Sequence, residues 1–316
     1  MKDLIIIGGG PTGINCAIEA QRKGLDTLIL EKGKLVNSIY NFPTNMTFFS
    51  TSLKLEIADI PFISHNDKPT RQEALEYYRR LALSKKLNIK YQAKVTAVNK
   101  VELGFEVHIN QEVLRTKSVI VATGFYDTPR LLNVPGEQLS KVKHYYDDAH
   151  PYIGTKLLVI GARNSACDVA LETWQKGAEV TMAIRGDKIY DKVKYWIKPN
   201  IENRIKEESI KAYFNCQIEE IKEGTVVLKT EKGVVEIQND YVLAMTGYKP
   251  DFSFLEKIGI AFEPGSDKIP VYNPKTLESN VKGMYVAGVI LSGLRTSELF
   301  IENTRDHAEK IIGDLV

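Results

Sequence analysis

A glycine cluster between a short apolar run and an amphipathic stretch restricts this chain more than any other feature. Leu4-Ile5-Ile6-Ile7 reads as a strand buried on both faces and runs directly into Gly8-Gly9-Gly10-Pro11-Thr12-Gly13. Ile14, Ala17, Ile18 and Ala20 then recur at helical spacing as far as Lys23, Gly24 stops the helix, and Leu25 to Leu30 supplies a second strand closed by Glu31. Strand, glycine turn, helix and strand in that order make a βαβ unit and so a parallel sheet. The glycines answer separate demands. Gly8 permits the tight turn, Gly10 lets backbone N–H groups approach a pyrophosphate, and Gly13, helped by Ala17, lets the helix pack closely on the strand. The helix N-terminus favours the anion, and Glu31 stands where an acid accepts the hydroxyls of an adenosine ribose.

About 150 residues further on the design recurs. Leu157 to Ile160 precedes Gly161-Ala162-Arg163-Asn164-Ser165-Ala166, a helix to about Lys176, Gly177, and a strand from Glu179 to Ile184. Gly161-x-Arg163-x-x-Ala166 departs from the glycine pattern at two positions, and its strand–turn–helix context is what carries it. Arg163 replaces a glycine and could itself contact phosphate. Arg185 ends the second strand, where an acid would select the ribose of NADH; an arginine there suits the 2′-phosphate of NADPH, with Lys188, Lys192 and Lys194 close behind. The competing reading of these charges is a solvated basic loop. Composition bounds the rest: 43% of the 316 residues are hydrophobic and 26% charged, with a net charge of +2, which suits a globular α/β protein and gives no field directed at nucleic acid or membrane.

Two further segments point to FAD in the first site. Val119-Ile120-Val121 leads into Ala122-Thr123-Gly124, which resembles the A-T-G segment where two-dinucleotide flavoproteins leave the FAD domain. Tyr285-Val286-Ala287-Gly288 resembles their late strand, whose following turn, here Gly288-Val289-Ile290, approaches the flavin; many such proteins have Asp after that Gly, and Val289 stands here instead. Met245-Thr246-Gly247-Tyr248-Lys249-Pro250-Asp251 looks like the return crossing. The expected organisation is a discontinuous FAD domain, 1–124 and 248–316, with an NAD(P)H domain inserted at 125–247. Between them, Leu87 to Val121 and Val226 to Ile237 alternate as antiparallel strands do, and Leu299 to Leu315 has helical spacing.

With these residues in place the chain resembles the YpdA-type bacillithiol disulfide reductases, or bacilliredoxin reductases, which are thioredoxin-reductase-like flavoproteins. The resemblance rests on Ser38-Ile39-Tyr40-Asn41-Phe42-Pro43-Thr44, Thr47-Phe48-Phe49-Ser50-Thr51-Ser52, Lys54-Leu55-Glu56-Ile57, Asp59-Ile60-Pro61-Phe62, His144-Tyr145, Ala149-His150-Pro151-Tyr152, Trp196-Ile197 and Phe300-Ile301-Glu302-Asn303. It implies FAD, NADPH as reductant, reduction of bacillithiol disulfide and partnership with bacilliredoxins. It also adds Lys32, Tyr40, Asn41, Pro43, Thr44 and Val95 to the expected FAD contacts beside Pro11, Thr12 and the glycines. One departure is central. That family carries a cysteine between Pro11 and Gly13, proposed as its redox-active thiol, and this chain has Thr12. A hydroxyl cannot replace a thiolate in attack on a disulfide. The catalytic residue is therefore unassigned, with Cys16, one helical turn later, as a displaced thiol or a buried packing residue.

Other readings stay open. A flavin-dependent monooxygenase would use His144 in F-x-G-x-x-x-H, but Gln138 and Ser140 stand at the Phe and Gly positions. A reductase of ferredoxin or flavodoxin fits the absence of any C-x-x-C, and a non-catalytic flavin sensor is a fourth reading. Tyr40, Phe48 and Phe49 line the flavin or pack under it, with packing favoured for one of the two Phe; His144 and His150 handle protons or are satisfied in a loop. No metal-ligand spacing occurs. The start, Met1-Lys2-Asp3-Leu4, leaves no room for a signal peptide, no apolar run reaches membrane length, and Cys16, Cys167 and Cys216 stand apart, so a cytosolic protein with buried thiols is expected. A homo-oligomer is compatible with all of this.

Overall fold

The structure is a computed structural model and describes residues 1–265 and 267–316. The chain folds as two compact units, one of Met1–Thr128 with Tyr248–Val316 and one of Pro129–Gly247.

The first unit begins with β1 (Lys2–Ile7), α1 (Pro11–Arg22) and β2 (Thr27–Leu30). Two one-turn helices, α2 (Asn37–Tyr40) and α3 (Ser52–Leu55), lead to α4 (Arg71–Ser84). The start of α4 is legible in its chemistry: the Thr70 hydroxyl accepts from the Glu73 N–H while the Glu73 carboxylate accepts from the Thr70 N–H, a reciprocal capping box. Next come β3 (Ile89–Lys90), β4 (Val95–Val101), β5 (Gly104–Ile109) and β6 (Glu112–Val121). β6 has two roles. Its first half pairs antiparallel with β5 in the β4–β5–β6 meander, and its second half lies parallel beside β1. Leu4, Ile5, Ile6, Val119, Ile120 and Val121 are all 0% exposed, as a parallel strand covered on both faces requires, and each buried branched side chain contributes roughly 1.5–3 kcal/mol.

The second unit repeats the plan. It holds β7 (Val142–Lys143), β8 (Lys156–Ile160), α5 (Asn164–Gln175), β9 (Glu179–Ala183), α6 (Lys198–Lys206), β10 (Lys211–Tyr213), a three-stranded antiparallel sheet of β11 (Gln217–Ile221), β12 (Thr225–Thr230) and β13 (Gly233–Gln238), and β14 (Tyr241–Ala244). Its main sheet runs β10-β9-β8-β14-β7, all parallel.

The chain then re-enters the first unit through α7 (Phe252–Lys257), β15 (Met284–Val286) and α8 (His307–Leu315). β15 joins β6 in parallel and completes the order β3-β2-β1-β6 with β15 on the outside. The helical spacing of Leu299 to Leu315 becomes regular helix only from His307; Ile301–Asn303 forms a single 3-10 turn. Side chains take the backbone groups a helix would use. Asn303 Oδ1 accepts from the Phe300 N–H, Asn303 Nδ2 donates to the Glu298 carbonyl, and the Thr304 hydroxyl donates to the Phe300 carbonyl. Among the described residues no helix is long and apolar enough to cross a membrane.

Candidate functional site

The turn between β1 and α1 is built to steric tolerance at two glycines and not at the third. Gly8 has φ +115°, and a Cβ there would lie 2.4 Å from the Ala122 carbonyl oxygen. A Cβ on Gly13 would lie 2.0 Å from the Gly8 carbonyl oxygen. Gly10 differs: it precedes the first residue of α1 with extended geometry, Pro11 follows at the first helical position, and a Cβ there would meet nothing within 4 Å. The protein's own packing therefore demands glycine at 8 and 13 but not at 10. Room over Gly10, at the positive end of a 12-residue helix with no side-chain cap, fits a pyrophosphate approaching the backbone.

Glu31 follows β2 and is 5% exposed. Its Oε2 accepts from the Gly9 N–H and its Oε1 from the Gly33 N–H, both at 2.7 Å. Burial raises its pKa against the opposing pull of those two N–H groups. The carboxylate thus clamps the glycine turn to the loop after β2, and each oxygen keeps a further lone pair for a ribose hydroxyl. This clamp was not visible in the spacing. Nor was Val36, a buried β-branched residue at φ 47°, whose N–H donates to the Gly9 carbonyl at 2.9 Å. Such a conformation is an outlier for valine and marks a locally strained loop.

The remaining expected contacts of the first unit lie on several separate segments. Lys32 pairs with Asp127 at 2.9 Å on the surface. Ala122, Thr123 and Gly124 follow β6, and Ala122 forms the ceiling over Gly8; Val95 opens β4 and packs into the sheet core. Tyr40, Asn41, Pro43 and Thr44 lie at and just after α2. The Tyr40 ring is covered by the Lys34 ammonium at 3.8 Å and approached by the Arg71 guanidinium, and a hydrogen bond from Lys34 lowers its pKa. Tyr40 lines a cavity of about 620 Å³ with Lys34, Val36, Gln72, Arg79 and Tyr91; none of residues 8–13 lines it. Phe48 is buried in a core with Leu55 and Tyr78, while Phe49 is exposed. Phe48 is thus a core residue and Phe49 a surface one.

Gly288, Val289 and Ile290 follow β15. Gly288 has φ +78°, and its Cβ would lie 2.8 Å from Thr12 Oγ1, so Thr12 and the late turn touch. Cys16, in contrast, is wholly buried in the sheet core with Leu4, Ile6 and Leu30, and burial pushes its thiol up to about 12. Cys167 is likewise pushed up to about 12 by burial, and Cys216 is raised. All three cysteines are free and buried. None has the electropositive, accessible surroundings of a reactive thiolate.

In the second unit Gly161 has φ +134°, and a Cβ there would lie 2.7 Å from the Met245 carbonyl oxygen. The loop after β9 is tied to this turn. Asn164 Oδ1 accepts from the Lys194 N–H at 2.9 Å, the Tyr190 N–H donates to the Ala162 carbonyl, and the Arg163 guanidinium lies 4.7 Å from the Tyr190 ring centroid. Ser165 is exposed in the first turn of α5. Lys188 pairs with Asp191 at 2.7 Å, which raises its pKa. Arg185 is exposed and makes no ion pair among the described residues. His144 lies 3.3 Å from the buried Glu137, which also accepts from the Leu132 and Asn133 N–H groups; His150 is exposed at the start of a 3-10 turn.

Comparison with known proteins agrees with this geometry. The family described as pyridine nucleotide-disulphide oxidoreductase matches residues 5–288. A bacilliredoxin reductase of Bacillus subtilis is 44% identical, over 98% of this chain and 96% of that protein. The structure of a bacillithiol disulfide reductase from Bacillus cereus superposes with a TM-score of 0.96 at 41% identity, covering 99% of this chain and 98% of that one. A Lactococcus lactis thioredoxin reductase shares the fold, with a TM-score of 0.78 at 22% identity over 100% of this chain and 98% of its own.

Proposed function

The chain belongs to the pyridine nucleotide-disulphide oxidoreductase family, and from that premise we propose that it is an FAD-containing reductase that draws hydride from NADPH and passes electrons to a disulfide. Membership implies a flavin and a nicotinamide cofactor; FAD in the first unit, NADPH in the second, and a small-molecule disulfide or small redox protein as acceptor are our assignment. The observation that carries it is the first glycine turn, where Gly8 and Gly13 are sterically obligatory while Gly10 leaves the end of α1 accessible beside the Glu31 carboxylate.

When bound, the flavin takes hydride from the nicotinamide and returns two electrons to the acceptor, so that NADPH, a proton and a disulfide become NADP⁺ and two thiols. The chain supplies the placement. The N-terminus of α1 takes the FAD pyrophosphate and Glu31 takes the adenosine ribose. Thr12 and the Gly288 turn border the reacting ring. Arg185, with its guanidinium uncommitted to any ion pair among the described residues, takes the 2′-phosphate of NADPH, while Lys188 is held by Asp191. No protein thiolate takes part: the cysteine position of the resembled family holds Thr12, and the three cysteines present are buried with raised pKa values. The chain would thus contribute placement and exclusion of water at this site rather than a thiol relay.

That same lack of an accessible thiol favours a second reading, a reductase of ferredoxin or flavodoxin. The test separates them. The protein is reduced anaerobically with NADPH and mixed in separate stopped-flow runs with bacillithiol disulfide, flavodoxin and oxygen. Fast reoxidation by the disulfide supports the proposal. Reoxidation by flavodoxin alone selects the second reading, and fast consumption of oxygen with oxygenation of an added substrate overturns both.

A further inference from the structure

The turn after β15 is held by a group that neither motif contains. His307, the first residue of α8, is 6% exposed, and its Nδ1 accepts from the Gly288 N–H at 3.0 Å. An imidazole nitrogen that accepts carries no proton, so the ring is neutral with its proton on Nε2. Gly288 itself has φ +78°, and the space its missing Cβ would fill belongs to Thr12. Three segments far apart in sequence therefore meet within one hydrogen bond and one van der Waals contact: the first turn of α1, the turn after β15 and the start of α8. A second tie runs alongside. Asn15 Nδ2 donates to the Arg305 carbonyl at 2.8 Å, joining the middle of α1 to the loop that enters α8.

We propose that His307 is a positioning residue for the flavin: its Nδ1 fixes the Gly288-Val289 turn in the left-handed geometry that the bound ring system requires, so that Val289 can occupy the place after the glycine without a carboxylate to anchor the turn. The inference rests on the assignment of FAD to the first unit and goes beyond it, since His307 lies outside the glycine clusters and touches Gly288 rather than the cofactor. Gly288 is buried, so its N–H has no water to turn to if the imidazole is lost, and an unsatisfied buried donor is costly. Burial holds the ring down to about 4, against Asp306, which raises it, and with Lys310, which lowers it further; Nδ1 remains an acceptor through the neutral range.

The test uses two variants of nearly equal shape. His307→Asn keeps an acceptor close to the Nδ1 position, and His307→Leu removes it. Each is purified as holoenzyme, and three quantities are read: the FAD dissociation constant, the flavin midpoint potential with its absorption bands, and the rate of ferricyanide reduction by NADPH. His307→Leu is expected to weaken FAD binding about tenfold and to shift the potential and bands, and His307→Asn to restore each to within about threefold of the parent. Loss of thermal stability in both variants with unchanged potential, bands and FAD affinity overturns the positioning role and leaves the FAD assignment standing. A parent protein that binds no FAD overturns both.

Discussion

Replacing Cys16 by alanine tests the claim that electrons bypass protein thiols. The thiol lies wholly inside the sheet core, and burial moves it from 9.0 to about 12. That displacement lowers the thiolate population at neutral pH about a thousandfold. Higher intrinsic nucleophilicity recovers about half of the effect on a logarithmic scale, leaving attack on a disulfide roughly thirtyfold slower for a thiol in that environment. Access then dominates, because a sulfur with no exposure must await local opening of α1 from the sheet before any disulfide can reach it. Cys16→Ala should therefore keep the disulfide-driven reoxidation rate of the NADPH-reduced protein within about twofold. Removing one buried sulfur atom should cost about 1 kcal/mol of stability, read from urea unfolding. Stopped-flow reoxidation by a disulfide is the assay, with mass-spectrometric mapping of iodoacetamide labelling on the folded protein as its companion. A hundredfold loss of disulfide reduction in Cys16→Ala, with NADPH–ferricyanide turnover intact, would refute the reasoning, as would rapid labelling of Cys16 in the native state.

Thr12→Cys should create what Cys16 is not: a half-buried thiol at the N-terminus of α1, where the helix dipole lowers its pKa, so that it is alkylated at neutral pH while the native cysteines are not; labelling no faster than that of Cys16 would count against this. Gly13→Ala puts a Cβ 2.0 Å from the Gly8 carbonyl, which forces α1 away from the turn; a loss of about 1–3 kcal/mol and of bound FAD is expected, measured by unfolding and by flavin content. Arg185→Ala should reduce the ratio of kcat/KM for NADPH over NADH at least tenfold, and an unchanged ratio would remove Arg185 from the 2′-phosphate site. His307 gives a pH dependence of defined sign. Burial holds its folded pKa at about 4 against 6.5 unfolded, so the unfolded chain binds the extra proton between those values. Its contribution is fully present above pH 6.5 and is lost as pH falls towards 4, by up to about 3 kcal/mol. The acid slope of the urea midpoint should flatten in His307→Asn, and an unaltered slope would assign the acid sensitivity elsewhere.

Much of the first unit was legible because its determinants are local. A four-residue apolar run, glycines at fixed offsets and an acid at the end of the next strand are constraints between residues that neighbour one another along the chain, and sterics alone convert them into a βαβ turn. The same holds for Gly161, despite Arg163 and Ala166 in place of glycines, because the surrounding strand–turn–helix pattern is local as well. The capping box at Thr70 and Glu73 belongs to this class. The tail did not, since Leu299 to Thr304 has helical spacing but spends its side chains on its own backbone.

Two strand–glycine turn–helix units, and the absence of a cysteine at position 12, follow from glycine sterics, strand and helix periodicity and residue identity, none of which needs a distant partner. What the groups around those turns are free to do was settled by folding. Glu31 is clamped by two backbone N–H groups, Lys188 is committed to Asp191 while Arg185 is not, Cys16 is sealed in the sheet core, and His307 meets Gly288 across 19 positions of chain. Charge, reactivity and hydrogen-bonding capacity depend on burial and on partners brought together by folding, and spacing along the chain carries no measure of either.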